Sequence, residues 1–134
     1  MMAKQNKIDT GIIMARYKVW EGTQMVDALL NTTLEGLGYP VARLFYSGEA
    51  DTFITFQIVS CRGVDAADDA NTREETIYRV NIYSKGDYTS LLEGSMAALK
   101  AAGFRGITVD SETYEKDTEY YHVPIQIKYY RRVN

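Results

Sequence analysis

Two segments with strand alternation flank the most acidic run of this chain, and together they constrain the fold more than any other feature. In TFITFQIVS (residues 52–60), Phe53, Thr55, Gln57 and Val59 alternate with Ile54, Phe56 and Ile58. In TIYRVNIYS (76–84), Tyr78, Val80 and Ile82 alternate with Ile77, Arg79, Asn81 and Tyr83. A period of two built from β-branched and aromatic residues lines up one apolar row per strand. Two such strands around one polar segment make a hairpin, so VDAADDANTREET (64–76) is expected to be a long acidic hairpin loop.

The flanking segments follow the helical period. From Thr23, an N-cap residue type, Val26, Leu29, Leu30, Thr33, Leu34 and Leu37 recur at helical spacing, and Gly36 and Gly38 stop the helix before Pro40. Asp87 predicts the start of a second helix whose Tyr88, Leu91, Leu92, Ser95, Met96 and Leu99 form one stripe. Gly103 is a natural residue just past its end, with Phe104 behind it. VARLFY (41–46) reads as a short strand or extended connection, and ITVDSETYE (107–115) as another strand. The last strand, YYHVPIQIKYYRR (120–132), sets Tyr121, Val123, Ile125, Ile127 and Tyr129 against His122, Gln126 and Lys128. Pro124 has no donor for a ladder and predicts an edge or a bulge there. The order helix, strand, long hairpin, helix, hairpin predicts an α+β fold, a mainly antiparallel sheet of four to five strands packed by two helices. Residues 1–22 read as an N-terminal arm, whose apolar part from Ile12 to Trp20 fits neither period, and 23–134 as a single domain.

A chain of 134 residues can bury one real core. With 15 basic against 18 acidic side chains, net charge -3, it carries no cationic surplus for phosphates. KYYRR (128–132) would stack bases on Tyr129 and Tyr130 and meet phosphates with Arg131 and Arg132, yet it is one short basic end in an acidic protein. No run of 18 apolar residues and no secretory pattern appear, so a protein made in the cytoplasm, with no membrane partner, is expected. The single cysteine, Cys61, permits no internal disulfide and no thiolate cluster for zinc. The 11 tyrosines suit strand faces and subunit interfaces, where a large ring is buried and its polar tip stays wet.

The acidic run fails the calcium-loop spacing. Counted from Asp65, Ala70 stands where the sharp turn needs glycine, and Thr76 replaces the bidentate glutamate. A looser cation site built from Asp65, Asp68, Asp69 and Asn71 stays open as an alternative. A Cys61–His122 nucleophilic pair requires two strand ends to meet. Glu112, Glu115, Asp117 and Glu119, with Lys116 among them, read as a solvated hairpin tip. No phosphate-cradling glycine pattern is present. The expectation is therefore a protein that is not an enzyme and uses no cofactor and no metal.

Taken together, MVDALLNTTLEGL, YPVARLFYSG, FITFQIVS, a polar loop, TIYRVNIYSK, DYTSLLEGSMAALKAAGF and HVPIQIKYYRR resemble the tail-completion proteins of siphophages and prophages. These are tail-terminator or tail-to-head joining proteins, and the resemblance covers roughly residues 24 to 132. It implies a virion structural protein that assembles as a ring, commonly a hexamer, on the head-proximal end of the tail tube. Its implied partners are further copies of itself, the tail tube protein and the head connector, with DNA only passing through the channel. Candidate interface residues are Asp65, Asp68, Asp69, Glu74 and Glu75 on the acidic side and Tyr129, Tyr130, Arg131 and Arg132 on the other. Other neck or head-completion proteins, or a small metal- or ligand-binding α+β domain or enzyme, are the alternatives.

Overall fold

The two alternating segments pair antiparallel, Thr52 opposite Ser84, in a computed structural model that describes residues 25–65 and 72–133. In chain order the elements are helix α1 (25–35), β1 (Val41–Arg43), β2 (Thr52–Asp65), β3 (Thr72–Ser84), helix α2 (Thr89–Ala101), β4 (Arg105–Val109), β5 (Thr113–Glu115) and β6 (Tyr120–Val133). The sheet runs β1-β2-β3-β6-β4, and β5 also pairs with β6. Among the described strands, only the β1–β2 pair is parallel. The fold is α+β with an open, mostly antiparallel sheet of six strands. The count exceeds the expected four to five because ITVDSETYE splits into β4 and β5, which pair with different stretches of β6.

One face of the sheet carries the core. Ile54 and Phe56 of β2, Tyr78, Val80 and Ile82 of β3, and Val123, Ile125 and Ile127 of β6 are all buried. Helix α1 lays Val26, Leu30 and Leu34 against them, and α2 adds Leu91 and Leu99. Each such side chain contributes about 1.5–3 kcal/mol by leaving water, so the apolar periodicities hold the two layers together. The N-cap of α2 is Tyr88, one residue after the expected Asp87, and it makes no side-chain cap bond; Asp87 stands just before it and accepts the Thr89 N–H at 2.9 Å. At the other end Gly103, at φ 104°, lets Phe104 N–H reach Leu99 C=O (3.0 Å) while its own N–H reaches Lys100 C=O (3.1 Å). This is the Schellman closure, and it drops the Phe104 ring into the core.

A polar tie crosses the layers. The buried Tyr78 hydroxyl donates to Asp27 Oδ1 of α1 at 2.5 Å, and Arg43 of β1 meets Asp27 Oδ2 at 3.2 Å. Burial, and then the Asp27 carboxylate, push the Tyr78 phenol well above its usual range, so it stays a donor.

Three expectations change. The acidic run is mostly strand: β2 reaches Asp65 and β3 begins at Thr72, so Glu74 and Glu75 belong to β3, and only 66–71 join the two strands. Pro124 sits on an interior strand, between β3 and β4, and not at an edge. Its C=O accepts the Asp110 N–H at 2.9 Å, so its missing donor points to the gap between β4 and β5, where no ladder partner is lost. On β2 a bulge at Val59 shifts the register, so that Ser60 faces Ile77. Thr23 and the N-terminal arm lie outside the described residues.

Tyr78→Phe removes the donor and leaves Asp27 with Arg43 alone. The expected loss is about 1–3 kcal/mol in urea unfolding, with an unchanged m-value.

Candidate interaction surface

Strands β2, β3 and β6 are 14, 13 and 14 residues long, and their ends towards Asp65, Thr72 and Val133 pair as a three-stranded ribbon, the overhang. Its rows follow from register: Arg62–Glu75–Tyr130, then Gly63–Glu74–Arg131, then Val64–Arg73–Arg132. Alternation places Glu75 and Arg73 on the face that neither described helix covers, and Glu74 on the helix side.

Both glutamates are buried, at 3% and 5% exposure, and each is paired within the chain. Glu75 accepts from Arg62 Nε at 3.0 Å and from the Tyr130 hydroxyl at 2.8 Å, and those two bonds hold its pKa below the usual carboxylate range. Glu74 Oε1 meets Arg131 Nη2 at 3.2 Å, while its Oε2 is buried without a hydrogen-bond partner among the described residues. Arg73 lies over the Tyr130 ring, 5.1 Å from its centroid. Tyr129 points to the helix side and packs on Phe104, ring centroids 5.1 Å apart.

Of the sequence-predicted interface residues, then, Glu74, Glu75, Tyr130 and Arg131 knit the overhang together. Arg132 is exposed opposite Arg73. Asp65 closes the β2 ladder opposite Thr72, and Asp68 and Asp69 lie outside the described residues. Arg131 therefore meets an acidic partner in its own chain. Cys61 and His122 do not meet: they pair across from Thr76 and Tyr83, seven positions apart on β3 and on opposite faces. Among the described residues, no three His, Cys, Asp or Glu side chains gather as a metal site.

At the other end of the same uncovered face stands an aromatic row that sequence reasoning did not assemble. Tyr46 stacks on Phe53 (4.3 Å), Phe53 on Tyr83 (4.8 Å) and Tyr83 on His122 (4.5 Å, planes 6° apart). Gly48 makes room for it, since a Cβ there would lie 2.2 Å from the Tyr46 hydroxyl. Beside the row, the Asn81 amide nitrogen donates to Thr55 Oγ1 (3.2 Å), which leaves its oxygen to accept from His122 Nε2–H (2.8 Å). Burial lowers the His122 pKa below its ordinary 6.5 and keeps the ring neutral at pH 7. The signal for these groups was the second register of each strand, the set Phe53, Thr55, Asn81, Tyr83 and His122.

Both sheet edges carry exposed apolar side chains. Beside β1, Tyr39, Leu44 and Phe45 are 41%, 62% and 74% exposed, with Leu44 in the left-handed region at φ 68°. Along the β4–β5 edge, Val109 and Tyr114 are 37% and 49% exposed, and Tyr121 of β6, opposite Tyr114, is 36% exposed. No helix among the described residues is long and apolar enough to cross a membrane.

No family model and no curated protein matches the sequence. Among solved structures, the chain is similar to one in "Virion of native gene transfer agent (GTA) particle", at 12% identity and a TM-score of 0.46, over 75% of this chain and 84% of that chain.

The Glu75 bonds give the overhang an acid limit. A carboxylate whose folded pKa is lowered stabilises fully above its unfolded value near 4.5, and that stabilisation is lost as pH falls through the folded value. Thermal melts from pH 7 to pH 2 should show this limb, and Glu75→Gln should flatten it while lowering stability at pH 7.

Proposed function

We propose that this protein is a virion structural protein that closes the head-proximal end of a phage tail tube as a ring, ending tube growth and joining tail to head. The observation that carries this reading is that opposite edges of one open sheet present different exposed apolar groups: Tyr39, Leu44 and Phe45 beside β1, and Val109 and Tyr114 along β4–β5, with Tyr121 of β6 next to Tyr114. Exposed aromatic and aliphatic clusters of this kind mark contact surfaces. Two unlike surfaces meet head to tail, and a head-to-tail contact whose rotation closes makes a ring. Strand edges with no partner among the described residues add backbone donors and acceptors to the same contact.

The resemblance of residues 24 to 132 to tail-completion proteins selects the phage neck among ring-forming assemblies. In this reading the partners are further copies, commonly six in all, the tail tube protein below and the head connector above. DNA passes through the channel without being read. The rigid sheet supplies position and surface, and the role calls for no catalytic group or cofactor.

Negative-stain images of the purified protein mixed with uncapped tail tubes should show a ring on one tube end. Leu44→Ser with Phe45→Ser should remove those rings while changing stability by no more than about 0.5 kcal/mol per site, because both side chains are solvent-exposed. Rings on isolated head connectors instead of tubes would move the protein to the head side of the neck. A melting temperature raised by calcium, with no ring on either, would favour the ligand-binding alternative.

A further inference from the structure

The face that neither described helix covers is strongly basic in a chain whose net charge is -3. Register places Arg62 of β2, Arg73 and Arg79 of β3, Arg105 of β4, and Lys128 and Arg132 of β6 on it, with Glu75 the one acid in that stretch. Two of the cross-strand pairs are like-charged: Arg73 faces Arg132, and Arg105 faces Lys128. Directly opposed like charges destabilise a sheet. Among the described residues Arg62 alone of these has an ion pair, with Glu75; Arg73 has the Tyr130 ring, and Arg105 donates to its neighbouring Phe104 carbonyl. A stripe of this kind calls for an anionic partner.

The same chain carries the complementary surface at its other end. Residues 110–119, around β5, hold Asp110, Glu112, Glu115, Asp117 and Glu119 against one Lys116, and all are exposed. The hairpin stands far from the outer end of the stripe of its own chain. Tyr120, where β6 leaves the hairpin, is 12 residues from Arg132, roughly 40 Å at about 3.3 Å per residue.

We propose that the acidic β5 hairpin of one copy seats on the basic stripe of the next copy. The inference deepens the ring reading and rests on it, since the hairpin belongs to the same β4–β5 edge that meets a neighbour there. Opposed charges on two separate patches steer copies into head-to-tail encounter and penalise stripe-to-stripe or hairpin-to-hairpin pairing. The contact weakens as salt rises through the physiological range, because the charges are exposed.

Charge reversal of the full-length chain tests this. Arg105→Glu with Arg132→Glu turns the stripe acidic, and Asp117→Lys with Glu119→Lys turns the hairpin basic. Each double variant should bind its own copies at least tenfold more weakly in sedimentation equilibrium, or cap at least tenfold fewer tail tubes. All four changes in one chain should restore the lost assembly, which also shows that the substituted chain folds. Carbodiimide coupling of mixed isotopically light and heavy wild-type protein should join Lys128 to a hairpin carboxylate between chains. The proposal is overturned if each double variant still assembles within twofold of wild type, or if the four-fold variant does not recover. Rings persisting on tubes under those outcomes would remove this contact and leave the ring reading standing, whereas wild-type protein that forms no ring would remove both. A 30-base-pair DNA duplex captured by the wild-type stripe and lost only with Arg105→Glu and Arg132→Glu, self-association being unchanged, would overturn it in favour of a nucleic-acid surface.

Discussion

Strand β3 is paired along its whole length on both sides, so its alternation decides both faces of the sheet at once. A slip of one residue would carry Tyr78, Val80 and Ile82 to the uncovered face and bring Arg79 and Asn81 under the helices. The register is held at one end by the apolar rows Ile54–Ile82–Val123 and Phe56–Val80–Ile125. At the other end it is held by charge: Arg62–Glu75–Tyr130 and Glu74–Arg131 lock the strands where no described helix covers them. The sheet thus changes its means of cohesion along its length, from buried hydrocarbon to hydrogen-bonded ions.

That change makes the overhang more than an extension of the core. A three-stranded ribbon on its own has little apolar burial to order it, and exposed ion pairs are individually weak. Here the two carboxylates are buried and each is tied to an arginine across the ladder, which makes removal of one partner costly and the pairing specific. The aromatic row of Tyr46, Phe53, Tyr83 and His122 performs the corresponding task at the opposite end, where ring stacking fixes the return of the chain from β1 to β2.

Much of this architecture was legible in the sequence because it depends on local periodicity. The stripes Val26–Leu30–Leu34 and Leu91–Ser95–Leu99, the Gly103 closure and the alternation of residues 52–58 and 76–84 all report on neighbours a few positions away. The parts that were not legible depend on partners far along the chain. Glu74 and Glu75 read as loop because carboxylates are rare in strands, and what keeps them there is Arg62, Tyr130 and Arg131. Pro124 read as an edge residue because the gap between β4 and β5 is a property of the assembled sheet. The basic stripe was hidden for the same reason: its cations are scattered from residue 62 to residue 132 and meet only across strands. The apolar edge at Leu44 and Phe45 was hidden inside a segment whose strand ends at Arg43.

The bulge at Val59 has a further consequence. Simple alternation from Phe53 would send Arg62 to the helix side, opposite Glu74; one extra residue moves it across to Glu75. Bulges also add local right-handed twist. A chain without Val59 would keep every cross-strand partner from Thr52 to Asp65 and lose only that added twist. The angle between the helix-covered body and its ribbon is therefore governed by residue count, not by side-chain chemistry. Geometry and contact are separable variables at this position, and a lineage could retune one by a single-codon change while leaving the other untouched.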